Sequence, residues 1–124
     1  MHNFRKLDIW TDSVELADMI YTITDSFPQT ELFGLASQMQ RAAVSVPSNI
    51  AEGAGRDSNR DFTRFLAISL GSLYELETQI EIAHRRAFLM TENYYSIITH
   101  IESLQKRIYN FRVHISPTNN ENED

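Results

Sequence analysis

Residues 38–56, which read QMQRAAVSVPSNIAEGAGR, decide the fold of this chain. The segment has the spacing of an amphipathic helix, yet it carries Pro47. A proline inside a helix removes a backbone hydrogen bond and clashes with the preceding turn, at a cost of about 3 kcal/mol. Polar residues recur at steps of three and four along one face: Arg41, Ser45, Ser48, Asn49, Glu52 and Arg56. Such a costly arrangement indicates a packing requirement or a site, and Ser48 and Asn49 are expected to be buried and to bind carbonyls freed by Pro47.

The composition limits the class of protein. The 124 residues suffice for one domain, and a content of 42% hydrophobic and 23% charged residues is ordinary for a globular protein. No apolar run is long enough for a membrane span, and the N-terminal residues lack the apolar segment of a signal peptide. The absence of cysteine excludes disulfides, thiol catalysis and thiolate metal sites. A cytoplasmic location without a membrane partner is therefore expected.

The formal net charge of −6 argues against a generic nucleic-acid binder, because phosphate neutralisation requires clustered Lys and Arg. The charges are unevenly spread: residues 8–31 hold six acids and no base, whereas residues 85–112 hold five bases and two acids. These stretches are either complementary faces of an assembly or two solvated surfaces, and the sequence leaves both interpretations open. Residues 116–124 carry three more acids and are expected to form a disordered tail outside a domain of residues 1–115.

Hydrophobic spacing predicts four helices and no strands. Thr30, Ser58 and Thr91 are the predicted N-caps of the last three helices. With proline and glycine as stop signals, the predicted helices cover residues 8–25, 30–54, 58–87 and 91–115. Short connections favour antiparallel neighbours, so the predicted fold is all-α, an up-down-up-down four-helix bundle.

Several apolar residues exceed the evident need of one bundle core: Ile9, Leu32, Phe33, Ile68, Leu70, Phe88 and Tyr95. Excess apolar surface often marks an oligomer, so a homo-oligomer is expected. The alternative is that a short bundle simply has a wide core. Gly71 and Ser72, in the middle of the third helix, are expected to let a neighbouring backbone approach closely.

No group of residues supports catalysis or cofactor binding. Glu81-Ile-Ala-His84 matches the Glu-x-x-His pattern of di-iron bundles once, and no second copy exists, so no metal site is predicted. Gly53-Ala-Gly55 lacks both the strand and the Gly-Lys-Ser/Thr of a phosphate loop. The chain is therefore predicted not to be an enzyme and to hold no cofactor.

Arginines recur at i, i+4 steps where the second and third helices meet. Arg56, Arg60 and Arg64 offer planar guanidinium groups suited to phosphate. The competing interpretation is a salt-bridge network that fixes this corner or joins it to a neighbouring subunit, with the acids Glu52, Asp57 and Asp61.

Three runs of the sequence resemble the 23S rRNA intervening-sequence protein family, which is also called the four helix bundle protein family and carries an old ribosomal-protein label. They are FPxxExFGL at residues 27–35, QxxRAAxSVPSNIAEG at residues 38–53, and FL at 65–66 with GSLxELE at 71–77. The central block is long and specific. The resemblance covers residues 4–111.

The resemblance implies a non-enzymatic four-helix bundle that assembles as a ring-shaped homopentamer. Members are encoded within bacterial large-subunit rRNA genes or as free-standing genes. A related branch, the accessory proteins of diversity-generating retroelements, is basic and binds nucleic acid and a reverse transcriptase. Binding of RNA or of a nucleic-acid-processing partner is therefore the functional hypothesis, although a charge of −6 departs from that branch. A protein–protein scaffold without a nucleic-acid role is the alternative.

Two sets of candidate residues follow. The structural or interaction motif comprises Arg41, Ser45, Pro47, Asn49, Glu52, Gly53 and Arg56. Nucleic-acid contact is expected at one of two places. The first is a basic end that includes Arg85, Arg86, Lys106, Arg107 and Arg112, and the second is an arginine ridge formed by Arg56, Arg60 and Arg64.

Overall fold

A computed structural model describes residues 1–117, which form four α-helices and no strand. The helices are α1 (Asp8–Thr24), α2 (Leu35–Ala54), α3 (Asn59–Arg85) and α4 (Thr91–Ile115). Single turns of 3-10 helix cover Phe4–Lys6 and Gln29–Glu31. Both α1 and α3 pack against α2 and α4, so the helices occupy the corners of a square in chain order. The predicted all-α four-helix bundle is confirmed, and the predicted tail falls, from residue 118 onward, outside the described residues.

The start of α3 follows the prediction. Ser58 is its N-cap, and the Ser58 hydroxyl accepts a hydrogen bond from the Asp61 backbone N–H at 3.1 Å. Thr91 is not a cap, because it is the first residue of α4 and Met90 occupies the N-cap position. Thr91 therefore lies one position inside the helix that it was expected to cap.

The predicted start of the second helix at Thr30 is wrong. A tight turn forms after Pro28 instead, since the Glu31 N–H donates to the Pro28 carbonyl at 2.8 Å. Gly34 then occupies the N-cap position of α2, and the Glu31 carboxylate accepts a bond from the Leu35 N–H at 3.3 Å. The local hydrogen bonds of this turn replace the first helical turn that the sequence predicted.

The core is one continuous cluster to which all four helices contribute. Ile9 and Leu70, two of the residues counted as excess, belong to it, and Phe88 packs against it half-buried. Leu32, Ile68 and Tyr95 stay exposed, and the Phe33 side chain is 92% exposed. The excess apolar surface is therefore real at some of the predicted positions and absent at others.

The helices α2 and α3 approach each other closely at Gly53. A Cβ atom added there would lie 2.7 Å from the Phe65 Cβ and 2.8 Å from the Phe62 Cδ1. The prediction for Gly71 is wrong, because a Cβ there would meet nothing within 4 Å and the residue is exposed. Gly53 is thus the position where the absence of a side chain sets the distance between two helices.

One end of the bundle is assembled around Phe62, which is fully buried. The His2 backbone N–H donates to the Ala54 carbonyl at 2.8 Å, which holds the N-terminal segment on the end of α2. The His2 ring lies 4.9 Å from the Phe62 ring, and the Phe62 ring lies 5.6 Å from the Phe111 ring. The N-terminus and the ends of α2 and α4 therefore meet the start of α3 at this end.

Candidate functional site

The polar face of α2 carries a hydrogen-bonded group that links α2 to α3. The Asn49 amide donates to the Ser45 carbonyl at 2.8 Å and to the Ser45 hydroxyl at 3.0 Å. The Ser72 hydroxyl lies 2.8 Å from the same Ser45 oxygen, and the buried Ser69 hydroxyl donates to the Val46 carbonyl at 2.9 Å. The bonds of Ser69 and Ser72 cross from α3 to α2 next to the buried Pro47, whereas those of Asn49 stay within α2, so this part of the motif serves packing.

The expected role of Ser48 and Asn49 needs correction. Ser48 is exposed and Asn49 is only half-buried. The carbonyl that loses its partner to Pro47 is that of residue 43, four positions earlier, whereas Asn49 donates to the carbonyl of Ser45. The reason is reach, because a side chain on a helix most readily bonds the carbonyl four residues before it.

Replacing Asn49 with leucine is expected to lower the free energy of unfolding by about 0.5–1.5 kcal/mol, the net value of a typical hydrogen bond. The change removes both bonds to Ser45 without altering the core. Urea unfolding monitored by circular dichroism measures it. Ser48→Leu is the matched control on the exposed side and should stay within about 0.5 kcal/mol. Equal losses in the two variants would contradict the role assigned to Asn49.

The corner between α2 and α3 brings two arginines onto one aromatic ring. The guanidinium carbons of Arg56 and Arg64 lie 4.8 Å and 5.4 Å from the centre of the Phe65 ring. Arg56 pairs with Glu52 at 3.0 Å and Arg64 with Asp61 at 3.2 Å, and all four side chains are exposed. Exposed pairs of this kind contribute about 0–1 kcal/mol, so an incoming anion can replace the carboxylates at little cost.

The predicted basic end does not exist as one surface. Arg85 and Arg86 lie where α3 ends, whereas Lys106, Arg107 and Arg112 lie in the second half of the antiparallel α4. Arg112 is about 30 Å along the helix axis from the start of α4. Its guanidinium donates to the Thr63 carbonyl at 3.0 Å, at the start of α3. The run of bases in the sequence is therefore split between opposite ends of the bundle.

The structure instead joins one α4 base, Arg112, to the arginines of the corner between α2 and α3. The end of the bundle around Phe62 gathers Arg56, Arg60 and Arg64 from the corner and Arg112 from α4. The N-terminal turn adds two exposed bases that the sequence analysis missed, Arg5 and Lys6, because His2 attaches this segment to Ala54. We name this set of six bases the arginine end.

The bases and acids of the chain are unequally divided between the two halves of the bundle along its length. Among residues 1–117, the half that contains the arginine end holds eight of the eleven bases: Arg5, Lys6, Arg56, Arg60, Arg64, Lys106, Arg107 and Arg112. Six acids share this half: Asp8, Asp12, Glu15, Glu52, Asp57 and Asp61. The other half holds three bases, Arg41, Arg85 and Arg86, against eight acids. Arg107 is joined to Asp12 across α4 and α1.

An open groove lies between α3 and α4 on the half of the bundle opposite the arginine end, which we call the acidic half. The Tyr94 hydroxyl donates to the Glu81 carboxylate at 2.6 Å and the Arg85 Nε donates to it at 2.8 Å. The bond from Tyr94 and, to a lesser extent, the bond from Arg85 lower the pKa of Glu81 below its usual value. The bond between Tyr94 and Glu81 also raises the pKa of Tyr94. Arg85 is thereby engaged with a carboxylate of its own helix.

The Glu81–His84 pair of the di-iron pattern has no further ligand beside it. The His84 ring stacks on the Tyr94 ring at 4.1 Å between centroids. Within residues 1–117, no three His, Cys, Asp or Glu side chains come together in a way that could hold a metal ion. In the same part of the chain, no helix combines the length and the apolar character that a bilayer span requires.

Comparisons with known proteins agree on one group. The family model described as "23S rRNA-intervening sequence protein" matches residues 5–110. No curated protein matches the chain. A crystal structure from Bacteroides thetaiotaomicron, of a protein with unknown function from the S23 ribosomal protein family, superimposes with a TM-score of 0.76 at 25% sequence identity. The match covers 84% of this chain and 97% of that one.

Proposed function

This chain belongs to the 23S rRNA-intervening sequence protein family, and we propose that it is a non-enzymatic, oligomeric binding module whose arginine end contacts RNA. The observation that carries the proposal is the collection of six bases from three separate segments at one end of an otherwise acidic bundle.

The chemistry of the arginine end suits a phosphate backbone. Guanidinium groups bind phosphate in a planar, two-pronged geometry, and Arg56 and Arg64 present theirs at the surface close to the Phe65 ring. Their present partners, Glu52 and Asp61, are exposed and weakly held. The acidic half repels phosphate, so binding is directed to this end of the molecule.

An oligomer would strengthen such binding. In a cyclic assembly every copy points the same end to the same side, so the arginine ends form one multivalent rim. The exposed apolar side chains, among them Phe33, Ile68 and Tyr74, support an assembly. From the family resemblance we expect five copies, a homopentamer.

The RNA proposal is tested by gel retardation of a structured RNA at low and raised salt. Wild-type protein should bind at about 50 mM salt and lose affinity steeply by about 200 mM, since binding releases counterions. Arg60→Glu with Arg64→Glu should weaken binding at least about tenfold, because it removes and reverses two contacts.

The matched control is Arg85→Glu with Arg86→Glu on the other half. Both double variants reverse two arginines, and Arg64 and Arg85 are each paired to a carboxylate of α3. The control should bind RNA almost as well as the wild type. Equal losses would show diffuse electrostatic attraction and remove the assignment to the arginine end, and no retardation at any salt would overturn RNA binding.

A protein scaffold without a nucleic-acid role is the second candidate. Two observations favour it: the net charge of −6 and the open, acid-lined groove between α3 and α4. The scaffold hypothesis predicts a stable assembly that does not bind RNA even at low salt.

A further inference from the structure

We infer that two opposite side faces of this bundle bind each other between copies of the chain. The face between α1 and α2 of one protomer would lie on the groove between α3 and α4 of the next. The inference rests on the oligomeric module proposed above, and it names the surfaces that hold the oligomer together.

The arrangement of the helices makes these two faces opposite. Each helix packs against its two neighbours in the square, and α1 does not contact α3, nor α2 contact α4, within residues 1–117. A contact that joins one face to the opposite face of the next copy is heterologous, and repeated heterologous contacts close into rings or extend into filaments.

The first surface, the α1/α2 face, combines apolar side chains with a positive charge. Tyr21 on α1 and Val44 on α2 are 47% and 40% exposed. Arg41 lines the same shallow depression and is exposed. It makes no ion pair within residues 1–117, so its charge is available to a partner.

The second surface, the α3/α4 groove, combines apolar side chains with negative charge. Tyr74 and Ile82 on α3 are 56% and 46% exposed and line the groove. Glu77 and Glu102 line it as well, and neither makes an ion pair in the described part of the chain. The groove therefore offers aromatic and aliphatic area next to carboxylates that no base neutralises, although that of Glu77 accepts a hydrogen bond from the Gln105 amide at 2.7 Å.

The heights of the two surfaces along the bundle coincide. The Ser45–Ser72 hydrogen bond places these residues at one level of α2 and α3. Arg41 lies four residues before Ser45 in α2, and Glu77 lies five residues after Ser72 in α3. Because α2 and α3 are antiparallel, both displacements lead away from the arginine end. At 1.5 Å per residue the two displacements are about 6 Å and 7.5 Å. A parallel side-by-side contact thus brings Arg41 level with Glu77 without sliding one copy along the other.

Charge also selects this contact over a symmetric one. A two-fold contact between two α1/α2 faces would bring the Arg41 side chains of the two copies toward each other. A two-fold contact between two grooves would bring their carboxylates toward each other, so both contacts would place like charges together. The heterologous contact opposes unlike charges, and it leaves the arginine ends together on one rim of a ring.

The test uses two double variants that each damage one surface at residues exposed in the protomer. Arg41→Glu with Val44→Glu damages the α1/α2 face, and Tyr74→Lys with Glu102→Lys damages the α3/α4 groove. Arg86→Glu with Met90→Glu is the matched control for the first variant, because it makes the same kind of changes at exposed positions off both surfaces. Masses are measured by light scattering after size-exclusion chromatography.

Each surface variant alone should be a folded monomer of about 14.3 kDa, and the control should assemble like the wild type. Mixing the two surface variants should give a complex of two chains and nothing larger, because the intact face of one meets the intact face of the other and the two damaged faces are left without a partner. If the wild type assembles and either surface variant still does, this interface is wrong while the oligomeric module stands. If the wild type itself is monomeric, the oligomer proposed above fails and this interface fails with it.

Discussion

Gly53→Ala is expected to lower the free energy of unfolding by about 1–3 kcal/mol, the usual cost of overpacking a well-packed site. The new methyl group would meet the Phe65 Cβ at 2.7 Å, an atom fixed to the α3 backbone. It would also meet the ring of the fully buried Phe62 at 2.8 Å. Neither neighbour is the free end of a flexible side chain, so α2 and α3 must separate. Urea unfolding at a fixed protein concentration measures the loss.

Gly71→Ala provides the matched comparison, because nothing lies within 4 Å of the added methyl group. Helix propensity favours alanine over glycine by about 1 kcal/mol, so this variant should be as stable as the wild type or more stable by up to that amount. The same propensity acts at Gly53, where packing should overwhelm it. Two variants that both gain stability would refute the close approach of α2 and α3 at Gly53.

Phe62→Ala is expected to cost about 3–5 kcal/mol, the range for removing a buried phenylalanine side chain. The ring contacts the His2 and Phe111 rings and joins the N-terminal segment, α3 and α4. Its loss should therefore free the segment that carries Arg5 and Lys6, and the RNA affinity proposed for the arginine end should fall. Urea unfolding gives the energy, and faster hydrogen exchange of the His2 backbone N–H, which donates to the Ala54 carbonyl, reports the release of the segment.

Phe33→Ala makes the same chemical change at a side chain that is 92% exposed. It should alter the free energy of unfolding of the protomer by no more than about 0.5 kcal/mol. If the His2 backbone N–H exchanges as slowly in Phe62→Ala as in the wild type, Phe62 does not hold the N-terminal segment.

Local signals predicted the helices well where the hydrogen bonds are local. The Ser58 cap works because its partner, the Asp61 N–H, is three residues away in the chain. The Thr30 cap failed because a turn after Pro28 offers the same segment different local bonds, and Gly34 ends that turn. A single sequence does not rank two local solutions that both provide partners for the same backbone groups.

The candidate site was harder to predict because charges that are close in sequence are not close in space. Arg86 and Arg112 belong to one basic stretch, yet the antiparallel course of α4 places them at opposite ends of the bundle. Arg5 and Lys6 join the arginine end through long-range contacts of the N-terminal segment, such as the His2–Ala54 hydrogen bond and the packing of the His2 ring on Phe62. Likewise, only the packing of α2 on α3 decides that Gly53, and not Gly71, needs to lack a side chain.

The most direct test of the central claim, that the working molecule is a multi-subunit helical assembly that acts by binding, is light scattering of the purified protein before and after nuclease treatment. The account predicts a mass close to five times the 14.3 kDa of one chain after treatment. It also predicts a larger mass and a higher absorbance at 260 nm before treatment, from bound RNA. A 14.3 kDa monomer at every concentration, with no change on nuclease treatment, would contradict it.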